Sequence, residues 1–288
     1  MAHLTVKGVY DLHVHSGPDL FDRIGDEAEI AAMCRDAGMA GVLFKVHHES
    51  TVARAYYASK LSPGIECHSS ICLNRGVGGI NPGSVETAVK MGAKIVWMPT
   101  SDSAYHELKY GVTGAWGHVQ DSRLALRAKA ISLLDDKGKL VGEIQPVLGL
   151  IARHNVVLAT GHISPEETEL LIPAALEAGV KKIVLTHVNF TKFLMPLERV
   201  KGYVGMGAMA ELCAPSQWGG YLGQEDTRDW IEALGADNCF ISSDAGISRK
   251  PAPHEAIRTF LYVMSTLGIS LRDLHVLSIE NPRRLLEG

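Results

Sequence analysis

Eight short β-type runs, each followed by a stretch of helical periodicity, restrict this chain to folds assembled from repeated βα units. The runs occupy residues 9–16, 41–48, 66–74, 94–100, 156–164, 182–188, 204–212 and 239–244. Each is apolar, and most end in polar or catalytic-type side chains, as barrel enzymes do where strands give way to loops. The rhythm predicts an α/β fold, a (β/α)8 TIM barrel, formed as a single domain over residues 1–288. Helix signals between the runs agree. Ser164-Pro165-Glu166-Glu167 supplies a cap, a first-turn proline and acids ahead of a helix over 168–178, with Gly179 as the stop. Asn81-Pro82-Gly83-Ser84 likewise precedes a helix over 85–91, stopped by Gly92. The longest insertion, 101–118, carries little periodicity and is expected to be a substrate loop or lid.

Charge narrows the partners. A formal net charge of −4 provides no basic field for nucleic acid, and no cationic amphipathic or spanning segment is present for a membrane. The first residues lack the apolar run of a signal peptide, so a cytoplasmic location is expected. Five cysteines without a CxxC pair fit reduced, structural thiols. The expected partners are a small-molecule substrate and further copies of the same chain.

The first run contains Asp11-Leu12-His13-Val14-His15, and strand alternation puts both histidines on one face. Two imidazoles on one face make half a metal site. The pair alone says little, because thirteen histidines in 288 residues produce about 0.6 such pairs by chance. His162 at the end of the fifth run, His187 at the end of the sixth and Asp244 at the end of the eighth add the rest. Each taken singly is more often a hydrogen-bonded structural residue. Barrel closure would bring all five together, and the set predicts one or two divalent ions, zinc first, with manganese, iron, cobalt or nickel as alternatives.

In this arrangement the chain resembles the amidohydrolase superfamily, whose pattern is HxH on strand one, His on strands five and six and Asp on strand eight. The similarity runs from Asp11 to Asp244, and Glu280-Asn281-Pro282-Arg283-Arg284-Leu285-Leu286 resembles that group's closing helix. The resemblance implies that His13, His15 and Asp244 hold the more buried metal and His162 and His187 the more exposed one. Binuclear members bridge the ions with a carboxylated lysine or a glutamate, the lysine usually on strand four. Here the fourth run ends Trp97-Met98-Pro99-Thr100 without such a group, whereas the second ends Phe44-Lys45-Val46-His47. Lys45 is therefore expected to be the bridge as its carbamate; the alternative is a cationic lysine paired with an acid or a substrate carboxylate.

Candidate substrate contacts are His47, Asn74, Tyr105, His106 and Trp116, with His118 as a further loop residue. His68 and Glu211 are expected to be structural or to support ligands. Arg249 and Lys250 could receive an anion, although solvated loop charge is the commoner fate of such residues. The site predicts a metal-dependent hydrolase in which activated water attacks a small open or cyclic amide, a lactone or a related bond, with Asp244 moving the proton. Two competitors stand beside it. A PHP-type phosphoesterase also begins Asp-Leu-His-Val-His-Ser, but its second motif presents Asp-His where this chain has Lys45-Val46-His47. A catalytically silent ligand-binding barrel is the other.

Overall fold

The protein is described from a computed structural model covering residues 5–114, 129–214 and 220–287. In chain order the first half comprises β1 (Tyr10–Val14), α1 (Glu27–Asp36), β2 (Gly41–Phe44), α2 (Val52–Leu61), β3 (Glu66–His68), β4 (Ser70–Cys72), α3 (Pro82–Lys90), β5 (Ile95–Trp97) and α4 (Ala104–Tyr110). The second comprises α5 (Ile144–His154), β6 (Val157–Ala159), α6 (Pro165–Glu177), β7 (Ile183–Leu185), α7 (Leu197–Gly205), β8 (Ala208–Cys213), α8 (Gln224–Leu234), β9 (Cys239–Ser242), α9 (Pro253–Thr266), α10 (Leu271–His275) and α11 (Asn281–Leu286).

All pairings between these strands are parallel, in the order β1-β2-β3 and β4-β5-β6-β7-β8-β9. The third expected run is split into β3 and β4 at Ser69. A bridge between Val14 and Ala245 and a 2.8 Å bond from the His15 N–H to the Ala245 carbonyl link the first strand to the segment after the last. Leu12, Leu43, Cys72, Trp97, Ala159, Val184, Met209 and Phe240, drawn from both sheets, form one apolar cluster that Leu285 and Leu286 of α11 join. A second, larger cluster lies between strands and helices. This is the two-layer burial of an α/β protein, with strands apolar on both faces.

Local chemistry sets the helices. Ser164 and Glu167 form a reciprocal capping box on α6, and the Asn81 side chain accepts from the Gly83 and Ser84 N–H groups at the start of α3, as their sequences foretold. Two expectations are corrected. Residue 204 belongs to α7 rather than to the seventh strand, because Gly207, at φ 101°, ends the helix and the strand begins at Ala208. The insertion after β5 is not structureless: Ser103 accepts from the His106 N–H and caps α4, which Gly111 stops in the left-handed region.

Every strand is shorter than the run that announced it, which leaves His15, Lys45, His47, His162, His187 and Asp244 in the βα connections, while His13 lies in β1 and Glu211 in β8. Strand β1 also carries an extra residue. Asp11 faces Val42 and Val14 faces Phe44, so Leu12 and His13 together oppose Leu43. That bulge turns Leu12 into the apolar cluster and still aims His13 at the site, which strict alternation would forbid.

Candidate metal centre

His13 is fully buried and has a carboxylate at each ring nitrogen. Nδ1 donates to Glu211 Oε1 at 3.0 Å and Nε2 lies 3.0 Å from Asp244 Oδ1. His15 Nε2 lies 3.1 Å from the same Asp244 oxygen. The ligand atoms of His13, His15 and Asp244 all fall within 4.8 Å of one another. Lys45 Nζ is 2.8 Å from His13 Nε2 and 4.4 Å from the centre of the Trp97 ring, with the residue only 1% exposed.

His162 and His187 adjoin this group, their rings 4.9 Å apart, and His187 lies 6.1 Å from the His13 ring. Gly161 delivers His162: at φ 62° any Cβ would sit 2.4 Å from the Met98 carbonyl oxygen. Phe193 stacks on both histidines at 4.5 and 5.6 Å. Together with His15, Lys45, His47 and Asp244, they line a cavity of about 360 Å³ whose other walls include Phe21, Arg23, Phe190, Tyr221, Ile247 and Arg249. That size suits a small molecule.

The electrostatics follow from burial opposed by the carboxylates. Burial works against a charge on His13, but Asp244, with Glu211 adding to it, outweighs burial and nearby Lys45 and lifts the imidazole to about 8. Burial pushes His15 down to about 3, with Arg23 contributing, and His187 down to about 4. Burial likewise holds His162 and His47 well below the ordinary imidazole range. Burial would raise Asp244, yet contact with His13 and then His15 keeps its carboxyl well below the usual range. The neutral histidines retain lone pairs for a cation.

These residues fit a divalent ion. Glu211 can only accept from His13 Nδ1–H, so the second proton of a charged His13 sits on Nε2, between that nitrogen and Asp244. A cation would replace this proton at the same donors. His187 Nδ1 is buried without a hydrogen-bond partner, and such a nitrogen is satisfied by an ion or by water.

The other expected residues divide. His47 reaches the cavity, its Nδ1 2.8 Å from Thr100 Oγ1. Asn74 does not line it: its amide donates to the His47 carbonyl at 2.9 Å and its oxygen accepts from the Thr100 N–H, so it braces the loops behind His47. His106 is fully buried behind His162, the two Nδ1 atoms 3.1 Å apart. Tyr105 is half-buried, 5.8 Å from Phe193, and does not line the cavity. Trp116 and His118 lie outside the described residues. His68 is engaged by Glu66 at 3.1 Å, away from the site. Arg249 lines the cavity and Lys250 does not.

Glu211 takes the ligand-supporting role expected of it. It is fully buried, accepts from His13 Nδ1, from Ser242 Oγ at 2.7 Å and from the His187 N–H at 2.8 Å, and so ties β1, β9 and the end of β7 to one carboxylate. Its being the one charged residue in an apolar strand was the available signal. Tyr221 was missed altogether. Its hydroxyl donates to Asp244 Oδ2 at 2.7 Å, and burial, then Asp244, raises the phenol well above its ordinary value, keeping that proton in place. Nothing in the neighbouring sequence marks it.

The model of the family described as "Family of unknown function (DUF6282)" matches residues 8–211. No curated protein matches the sequence. Solved structures sharing the fold include an amidohydrolase from Pseudomonas aeruginosa, 13% identical over 98% of each chain with a TM-score of 0.63. A dipeptidase described as a metallopeptidase is 11% identical over 98% of each chain, with a TM-score of 0.63. A lactonase mutant from Deinococcus radiodurans is 11% identical over 99% of this chain and 98% of that one, with a TM-score of 0.56. The α/β fold with parallel strands that was expected from the resemblance to the amidohydrolase superfamily is the one shared with these structures.

Proposed function

The chain belongs to DUF6282, a family of unknown function, and we propose from its site that it is a metal-dependent hydrolase on a closed eight-stranded barrel, acting on a small amide, lactone or related C–N or C–O bond. The observation that carries this reading is the convergence of His13 Nε2, His15 Nε2 and Asp244 Oδ1 beside a cavity of about 360 Å³ that His162 and His187 also line.

A divalent ion bound there supplies a Lewis acid that polarises a carbonyl and acidifies water at neutral pH. The chain's own residues do the rest. Glu211 fixes the His13 tautomer and its ring orientation. Asp244 takes the proton from the attacking water through one oxygen while Tyr221 holds the other, then delivers it to the leaving nitrogen or oxygen. Phe190, Tyr221 and Ile247 exclude bulk water from the reacting face.

Lys45 completes the centre as its carbamate. A buried ammonium without an acidic partner among the described residues is costly, whereas loss of one proton to give the amine, then uptake of carbon dioxide with loss of a second, converts it to an anion that cations would compensate. The test is elemental analysis after reconstitution with zinc or manganese, followed by turnover of a panel of lactones and cyclic amides, with para-nitrophenyl phosphate as the phosphoesterase arm. One to two equivalents of metal and turnover of a lactone or amide are expected. Metal below about a tenth of an equivalent, or phosphate release as the dominant activity, overturns the reading.

A further inference from the structure

The wall of the cavity beside the candidate ligands is built by two connections that bond to each other. Ile24 N–H donates to the Gly246 carbonyl at 2.9 Å, Ser248 N–H donates to the Asp22 carbonyl at 3.0 Å, and Arg23 pairs with Ile247 between them. Gly246, at φ 128°, lies so close to the His15 carbonyl that a Cβ would fall 1.8 Å from that oxygen. The loop after β9 is thus fixed against the end of β1 and presents its next residues from a rigid base.

Backbone strain singles out one of those residues. Among the described residues, the non-glycine positions with positive φ are Asn155, His187, Asp244 and Arg249. Asn155 is an ordinary left-handed stop after α5. The other three, at 32°, 48° and 63°, all line the same cavity. His187 and Asp244 are candidate ligands, and strain of this kind persists where the surroundings hold a side chain in a working position. Arg249 shares both the strain and the cavity.

Charge pairing points the same way. Arg23, the neighbouring cation on the wall, is already engaged by Asp19 through Nε at 2.8 Å and Nη2 at 2.6 Å. Arg249 has no acidic partner among the described residues, and Asp22 on the same wall makes no ion pair with it. Arg249 is exposed to solvent yet lines the cavity from a rigidly based loop, and an arginine fork without an acidic partner there matches a planar anion.

We propose that this wall is an anion subsite in which Arg249 recognises a carboxylate carried by the substrate at the end remote from the metal centre. The substrate class is then a small hydrolysable amide or lactone that bears a carboxylate. This rests on the metal-centre reading above, and the probes separate the two. Malonate, succinate and glutarate monohydroxamates place a metal-binding hydroxamate at one end and a carboxylate at the other; butyrohydroxamate has only the first.

Binding to the zinc-loaded, full-length protein is measured by calorimetry. At least one of the dicarboxylate hydroxamates should bind about tenfold or more tightly than butyrohydroxamate, the discrimination expected of a bidentate charge-assisted bond even from an exposed arginine. Arg249→Ala should bring the two affinities within about threefold of each other, and Arg249→Lys should keep part of the difference. Equal affinities in the unmodified protein, or an undiminished preference in Arg249→Ala, overturn the subsite. Should no hydroxamate bind, the metal reading falls, and succinate alone decides the subsite: saturable binding that Arg249→Ala abolishes upholds it, and no binding refutes it.

Discussion

Glu211→Gln isolates what one buried carboxylate contributes to the centre. Three donors meet Glu211: His13 Nδ1 and Ser242 Oγ at Oε1, and the His187 N–H at Oε2. Glutamine keeps the shape but turns one acceptor into an NH2. Placed at Oε2, that group meets a backbone N–H which cannot reverse. Placed at Oε1, it meets a hydroxyl that can rotate and an imidazole that can change tautomer, so this orientation costs less. His13 must then accept at Nδ1 and carry its hydrogen on Nε2, the atom aimed at Asp244 and Lys45. Metal binding has to undo that tautomer and leave a donor facing a donor. Loss of such a supporting partner typically costs about 10- to 100-fold in metal affinity.

Folding should suffer less. One imperfectly satisfied buried polar group costs about 2 kcal/mol, or roughly 4–8 °C in Tm for a large domain. Competition against a chelator on folded, metal-loaded protein measures the first quantity, and thermal melts of the metal-free protein measure the second. Metal affinity within about threefold of the unmodified protein would refute the tautomer argument, whatever happens to Tm.

Three further outcomes are expected. Lys45→Ala should lose one equivalent of metal and most turnover, with partial rescue by short carboxylic acids; unchanged stoichiometry and turnover would remove Lys45 as the carbamate. Asp244→Asn keeps an oxygen donor but not the basicity, so single-turnover rates at matched metal occupancy should fall about 100- to 10,000-fold, and a fall under about tenfold would end its role as proton carrier. Because Asp244 and Glu211 lift His13 to about 8, a proton competes with the cation below that pH and is released above it. Apparent metal affinity should therefore rise about tenfold per pH unit up to about 8 and then flatten, and chelator competition showing no change across this range contradicts the pairing.

Local signals in the sequence were enough for most of the order of strands and helices, because caps and stops act within a few residues. Ser164 with Glu167, and Asn81 ahead of Pro82, bond to neighbours three or fewer positions away, so their roles follow from spacing alone. The same holds for the ligand candidates. An apolar run that ends in histidine, lysine or aspartate announces a polar strand end, and His13, His15, Lys45, His162, His187 and Asp244 were all found that way. Helix α4 escaped because it is only seven residues long, too short for its periodicity to be read.

What only the tertiary structure decided depends on partners remote in the chain. His13 meets Glu211 across 198 residues and His15 meets Asp244 across 229, distances over which no pattern survives. The bulge at Leu12 and His13 reflects the register with β2, Asn74 and His106 turn out to brace His47 and His162, and Tyr221 gains its importance only from Asp244. Side-chain type and strand position are local properties that the sequence states outright. Which carboxylate orients which imidazole, and which arginine is left without a partner, is set by how the strands and their loops pack, since hydrogen bonds and ion pairs of this kind form only between atoms brought within about 3 Å by the whole fold.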